Sequence, residues 1–207
     1  MIAEHWIAFL LAAFIISVSP GVGAVNTMSN GLPYGVRRTL PSILGLQLGY
    51  GIQIAVVGIG LGALLASSSL AFEIVKWVGV LYLVWWGYKK WTQPLLSLVT
   101  SIKRHESVKK QFWTAAFVYL TNPKATVFLL ALFPQFIDVG ADTQLVQTAV
   151  MGGTLIMADI IVMVGYASMT SQLSHWMKSE RHQVIQNRIF GGMFIGAATL
   201  MAGYRNS

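Results

Sequence analysis

No Asp, Glu, Lys or Arg occurs between Glu4 and Arg37, and none between Arg38 and Glu73. About 20 apolar residues carry a helix across the hydrocarbon layer of a bilayer, so each stretch spans it with residues left over. In lipid every backbone N–H and C=O must be satisfied within the protein, and a helix does this inside its own segment. The chain as a whole agrees: 55% of its 207 residues are hydrophobic, 10% are charged and the mean hydropathy is +0.63. An ordinary soluble domain carries roughly 25% charge, and a chain this short has no interior large enough to hide so much apolar surface. The fold class expected is an all-α integral membrane protein.

Hydropathy and the placement of charge divide the chain into six transmembrane spans, at about residues 6–28, 39–66, 70–90, 112–137, 143–172 and 187–204. Two of them are interrupted by proline, at Ser19-Pro20-Gly21 and at Thr121-Asn122-Pro123-Lys124, with the prolines 103 positions apart. The same offset lays Gly49 on Gly152, Gly62 on Gly165 and Ser67-Ser68 on Thr170-Ser171. In the third pair the offset lengthens to 112, with Lys76 on Arg188 and Gly79 on Gly191. Three spans per half is an odd number, so the second half enters the membrane from the opposite side. The expectation is two inverted three-helix repeats with proline-broken first helices: residues 1–92, a basic cytoplasmic linker at 93–111, and residues 112–207, forming one membrane domain. Paired interrupted helices in two halves point to a binding site near the midplane.

The net charge of +7 and pI near 9.8 do not mark a nucleic-acid binder, because the basic residues sit in short connections rather than on one folded face. Arg37, Arg38, Lys89, Lys90, Lys103, Arg104, Lys109, Lys110, Lys178 and Arg181 fall on one side, and Glu4, Glu73, Asp138 and Asp142 on the other, with only Lys76 and Arg205 beside them. The basic side is expected to be cytoplasmic, with both termini outside. Trp77, Trp85, Trp86 and Trp91 suit the headgroup layer around the third span. In the linker, Leu95, Leu98, Val99 and Ile102 stand at helical spacing beside Lys103 and Arg104, so this segment either lies along the inner membrane surface or is an irregular basic connection. The first span lacks the basic leader of a cleaved signal and is expected to be retained.

Two ionisable residues remain deep in the membrane: Lys124, midway between Gln111 and Asp138, and Asp159, midway between Asp142 and Lys178. Each costs about 2.5 to 3.5 kcal/mol at a helix centre, so both are functional candidates that an ion pair or a shared polar cavity would accommodate. The alternative is that Lys124 reaches for the interface and Asp159 bonds a neighbouring helix. Asp159 is the candidate proton carrier, since burial disfavours a charged carboxylate and a nearby cation favours it. Lys124, and the amides of Gly21, Val22 and Gly23 that begin a half-helix after Pro20, suit a carboxylate. Asn26, Gln47, Gln53 and Asn122 add neutral hydrogen-bonding groups that either contact substrate or join helices. The glycine pairs Gly45/Gly49, Gly58/Gly62 and Gly192/Gly196, each four apart, read as close helix contacts.

Enzyme signatures are missing: the chain has no His-Glu-x-x-His, no phosphate-binding loop and no second membrane-interior acid, and it is not expected to be an enzyme. No cofactor and no metal site is expected, as there is no cysteine and the four histidines lie in loops or near span ends.

Ser19-Pro20-Gly21-Val22-Gly23-Ala24-Val25-Asn26-Thr27-Met28, Leu120-Thr121-Asn122-Pro123-Lys124 and Ala131-Leu132-Phe133-Pro134-Gln135-Phe136-Ile137 resemble the LysE/RhtB amino-acid exporters, essentially end to end. Gly45-Leu46-Gln47, Ala71-Phe72-Glu73 and Asp159-Ile160-Ile161-Val162-Met163 look closest to the homoserine and threonine branch. The resemblance implies a bacterial inner-membrane carrier that exports homoserine, its lactone or threonine by proton antiport. Its substrate-binding candidates are Pro20, Gly21, Val22, Gly23, Asn26, Gln47, Asn122, Pro123 and Lys124, with Asp159 as the proton-coupling residue. Exporters of basic amino acids in the family carry an acid in the second span, so the resemblance implies that with neutral Gln47 lysine and arginine are poorer substrates and that position 47 helps to select charge. The partners expected are an amino acid, protons and the bilayer, in a chain that can form homo-oligomers. The competing readings are a cation or metal exporter, which lacks the several oxygen anions a hard cation wants, and a membrane scaffold without flux.

Overall fold

A computed structural model describes residues 3–67, 69–92, 106–137, 144–170, 172 and 179–203. The described residues form seven helices: α1 Ala3–Val18, α2 Val22–Ser67, α3 Ser69–Thr92, α4 Val108–Leu120, α5 Pro123–Phe136, α6 Gln144–Ser168 and α7 Glu180–Gly203. Two are long and apolar enough to cross a membrane, Val22–Gly60 within α2 and the whole of α6, and a shorter apolar stretch covers Trp6–Val18.

The helix boundaries follow local chemistry. Ser107 caps α4 by accepting from the Lys110 amide at 3.3 Å. Asn122 caps α5 through its Oδ1, which accepts from the Lys124 amide at 3.1 Å, and Pro123 occupies the first turn, where its missing N–H costs nothing. The Pro20 break lies between α1 and α2, and the Pro123 break between α4 and α5.

The connection expected at residues 29–38 is instead absorbed into α2. The direction changes at Gly35 alone, whose φ of 71° and ψ of 176° belong to a region essentially restricted to glycine. Thr39 Oγ1 donates back to the Gly35 carbonyl at 2.8 Å, in the first turn after the kink. Helix α7 likewise begins seven residues before the span expected at 187. The amphipathic reading of Leu95, Leu98, Val99 and Ile102 lies outside the described residues, as do Asp138 and Asp142.

Helix α2 packs against α4, α5 and α6, while α1 packs against α6 and α5, and α3 against α5 and α7. Close approach is built from glycine where α2 meets α4: a β-carbon on Gly45 would stand 2.9 Å from the Phe112 carbonyl carbon, and one on Gly49 2.9 Å from the Leu120 nitrogen. Gly58 faces the Thr148 side chain. The pair Gly192/Gly196 does not act this way among the described residues, where a β-carbon on either would meet nothing within 4 Å; α7 meets α3 through Gly191 against Gly87 instead. Phe9 anchors the core, edge-on to Phe133 and Phe136 at ring-centroid distances of 5.9 and 5.2 Å. Leu44, Leu48, Ile52, Val56 and Ile59 point outward along one stripe of α2, the surface that lipid rather than water accepts.

Candidate functional site

Proline at position 20 removes the amide that would have bonded the Ile16 carbonyl, so the end of α1 needs donors from elsewhere. Lys124 supplies them: its Nζ donates to the Ile16 carbonyl at 2.7 Å and also to the Ser19 carbonyl. Tyr166 Oη donates to the Val18 carbonyl at 2.7 Å. The second break is treated in the same way from the other half of the chain. Gln53 Nε2 donates to the Leu120 carbonyl at 3.0 Å and to Thr126 Oγ1 at 2.8 Å, and lies 3.5 Å from the Asn122 carbonyl.

Between the two breaks is a small cavity lined by Ile16, Ser17, Tyr50, Tyr119, Asn122, Lys124, Ala125 and Asp159. Its volume is about 20 Å³, room for one water-sized group. Asp159, 1% exposed, is held at both oxygens: Gln47 Nε2 donates to Oδ2 at 2.8 Å and Tyr119 Oη donates to Oδ1 at 2.8 Å. The Tyr119 ring packs edge-on against Tyr50, with centroids 5.3 Å apart. Beside Asp159, the buried Gln47 Oε1 has no hydrogen-bond partner among the described residues. Such a group is costly unless something else is bound by it.

The structure brings together Gln47, Asn122, Lys124 and Asp159 from the sequence-derived candidates. Pro20 is buried in the first break, and Pro123 opens α5 at the second. Gly21 borders Lys124, since a β-carbon there would lie 3.7 Å from Nζ. Val22 turns its side chain outward at 49% exposure, so only its backbone faces the break. Gly23 seats the Tyr119 ring, leaving a β-carbon 3.1 Å from Cζ and 3.2 Å from Cδ2. Asn26 does not line the cavity; its Nδ2 donates to Ser42 Oγ at 2.8 Å in a separate polar cluster with Asn30. No group of three or more metal-ligating His, Asp or Glu side chains occurs among the described residues.

Sequence reasoning missed Ser17, Tyr50, Tyr119 and Tyr166. A signal for one of them was present, because the offset of 103 lays Tyr119 on Ile16, in the turn before each break. A tyrosine carries no charge and enters an apolar span at little cost, so hydropathy does not mark it.

The family of LysE type translocators matches residues 14–204. The chain belongs to this family. It is 42% identical over 207 residues to the homoserine/homoserine lactone efflux protein of Salmonella typhimurium, covering all of both chains. It is 45% identical over 199 residues to an uncharacterized membrane protein of Vibrio cholerae, covering 95% of this chain and 96% of the other. It is also 25% identical over 203 residues to the leucine efflux protein of an Enterobacter species, covering 97% and 96%. No solved structure matches. As a member of this family the chain is a membrane translocator, and the cavity between its broken helices is the candidate translocation site.

Proposed function

We propose that this translocator exports small neutral amino acids, namely homoserine, homoserine lactone and threonine, from the cytoplasm across the bacterial inner membrane in exchange for protons. The observation that carries the proposal is the buried Asp159 carboxyl facing a cavity shared with Lys124, between two helix breaks. A carboxyl in this position exchanges a proton for a cationic group when it is exposed to one side or the other.

The relatives' name narrows the chemistry. Homoserine and its lactone share an ammonium group, whereas the lactone has no free carboxylate, so the feature read in common is the cation. Asp159 is the acid placed to read it. Lys124 and the amides at the start of α2 receive a carboxylate where the substrate has one. Gln47 occupies Oδ2 without adding charge, which keeps the site matched to one ammonium rather than two.

Alternating access by two inverted repeats of three spans is supported by reciprocal packing, with α1 against α6 and α4 against α2, and by reciprocal capping of each break from the other half. The helices α3 and α7, which pack together, complete the halves. The basic connections face the cytoplasm in this arrangement.

The test is radiolabelled homoserine and threonine flux in proteoliposomes under an imposed pH gradient, comparing the native chain with Asp159→Asn. Gradient-driven flux is lost in Asp159→Asn. Equal gradient-driven flux in both proteins rejects Asp159 as the coupling residue, and no flux of either amino acid rejects the substrate assignment.

A further inference from the structure

Tyr119, in the last turn of α4, lies between Gly23 in the first turn of α2 and Asp159. Its ring rests on Gly23, where no β-carbon fits beside it, and its Cβ approaches Gly49, where an added β-carbon would stand 3.0 Å away. Its hydroxyl occupies Asp159 Oδ1, the oxygen that Gln47 leaves open. Tyr50 braces the ring from the side. With Tyr119 in place the cavity holds one water-sized group. An amino acid that brings its carboxylate towards Gly23 and its ammonium to Asp159 meets the tyrosine in both places.

We infer that Tyr119 is the gate of the Asp159 site. Its ring closes the path between the start of α2 and the carboxyl, and its hydroxyl is the internal surrogate that the substrate ammonium replaces. This rests on the amino-acid carrier reading above. Glycine at 23 is required because the closed ring uses the space of its side chain. A gate of this kind keeps the carboxyl satisfied between transport events, so it is neither left orphaned nor open to both sides.

The chain has no cysteine, so Ser17→Cys reports on the cavity without background thiols. The full chain carrying Ser17→Cys is reconstituted in proteoliposomes, and labelling by a small water-soluble methanethiosulfonate is timed without substrate. The backgrounds are Tyr119, Tyr119→Phe, Tyr119→Ala and Gly23→Ala. Labelling is slow with Tyr119 and about tenfold faster with Tyr119→Phe, the factor expected from losing one hydrogen bond of ordinary net strength. It is faster again with Tyr119→Ala and with Gly23→Ala, which displaces the ring while leaving the hydroxyl intact. Tyr119→Phe keeps the ring, so the comparison survives a failure of the alanine variants to fold. Equal labelling rates in Tyr119 and Tyr119→Phe overturn the gate. Homoserine flux is measured separately on the native chain: its absence together with Tyr119-dependent labelling removes the substrate and leaves the gate, and its presence with Tyr119-independent labelling does the reverse.

Discussion

Lys124 Nζ donates at 2.7 Å to the carbonyl of Ile16, the oxygen whose normal helical donor is missing because residue 20 is proline. The two residues are 108 positions apart, and the bond closes the first helix break from the second half of the chain. The lysine at the second break is therefore a structural cap for the first break as well as a cation in the cavity.

Replacing Lys124 with Met leaves the Ile16 and Ser19 carbonyls without this donor at a partly buried helix end. Hydrogen bonds to charged groups are worth about 1.5–3 kcal/mol, so Lys124→Met lowers the thermal unfolding midpoint in detergent, whereas Lys124→Arg retains part of the stability. An unchanged midpoint in Lys124→Met would refute the capping role.

Gln53 holds the second break through the Leu120 carbonyl and Thr126. Gln53→Leu keeps the volume and removes the donor, with an expected loss of about 1–3 kcal/mol from the orphaned acceptor. The acceptors of Gln53, the Leu120 carbonyl and Thr126 Oγ1, differ from those of Lys124, the Ile16 and Ser19 carbonyls, so the losses in Gln53→Leu and Lys124→Met are expected to add to within about 0.5 kcal/mol. A double variant no less stable than either single variant would show that the caps belong to one network.

Gln47 donates to Asp159 Oδ2 at 2.8 Å. Gln47→Asp puts a second carboxyl against the first, and the pair is neutralised by a proton or by a second cationic group. The expected result is a shift of substrate preference from homoserine towards lysine, read as competition between the two in the flux assay. Unchanged preference would remove Gln47 as the residue that selects substrate charge.

Gly45 faces the backbone of α4 at Phe112, where nothing can swing aside. Gly45→Ala forces α2 and α4 apart at a cost of about 1–3 kcal/mol, typical of overpacking. Gly153→Ala, whose β-carbon meets nothing within 4 Å among the described residues, stays close to the native stability. The contrast is measured as the difference in unfolding midpoints of the two variants; equal midpoints would show that the α2 to α4 contact yields freely.

Hydropathy and charge were enough to read α3 and α6 to within a few residues, because the penalty for burying charge in lipid acts on each segment separately. The ionisable residues Lys124 and Asp159 were legible for the same reason, as charges inside apolar segments. The continuous α2 was not, since a single left-handed glycine makes a turn for which a longer connection was expected. Asn26 and Gln47 were indistinguishable as polar residues in apolar segments, and packing sent one to Ser42 and the other to Asp159.

By itself the sequence determined that this chain is helical and membrane-embedded and that its first break and its second fall at prolines, because hydration cost and the missing proline amide are local properties. Tertiary structure alone decided that Gln47 and Tyr119, 112 and 40 positions from Asp159, share its carboxyl, and that each break is closed from the opposite half. Hydrogen bonds depend on direction and on distances of a few tenths of an ångström, and only packed helices bring residues so far apart in the chain within that range.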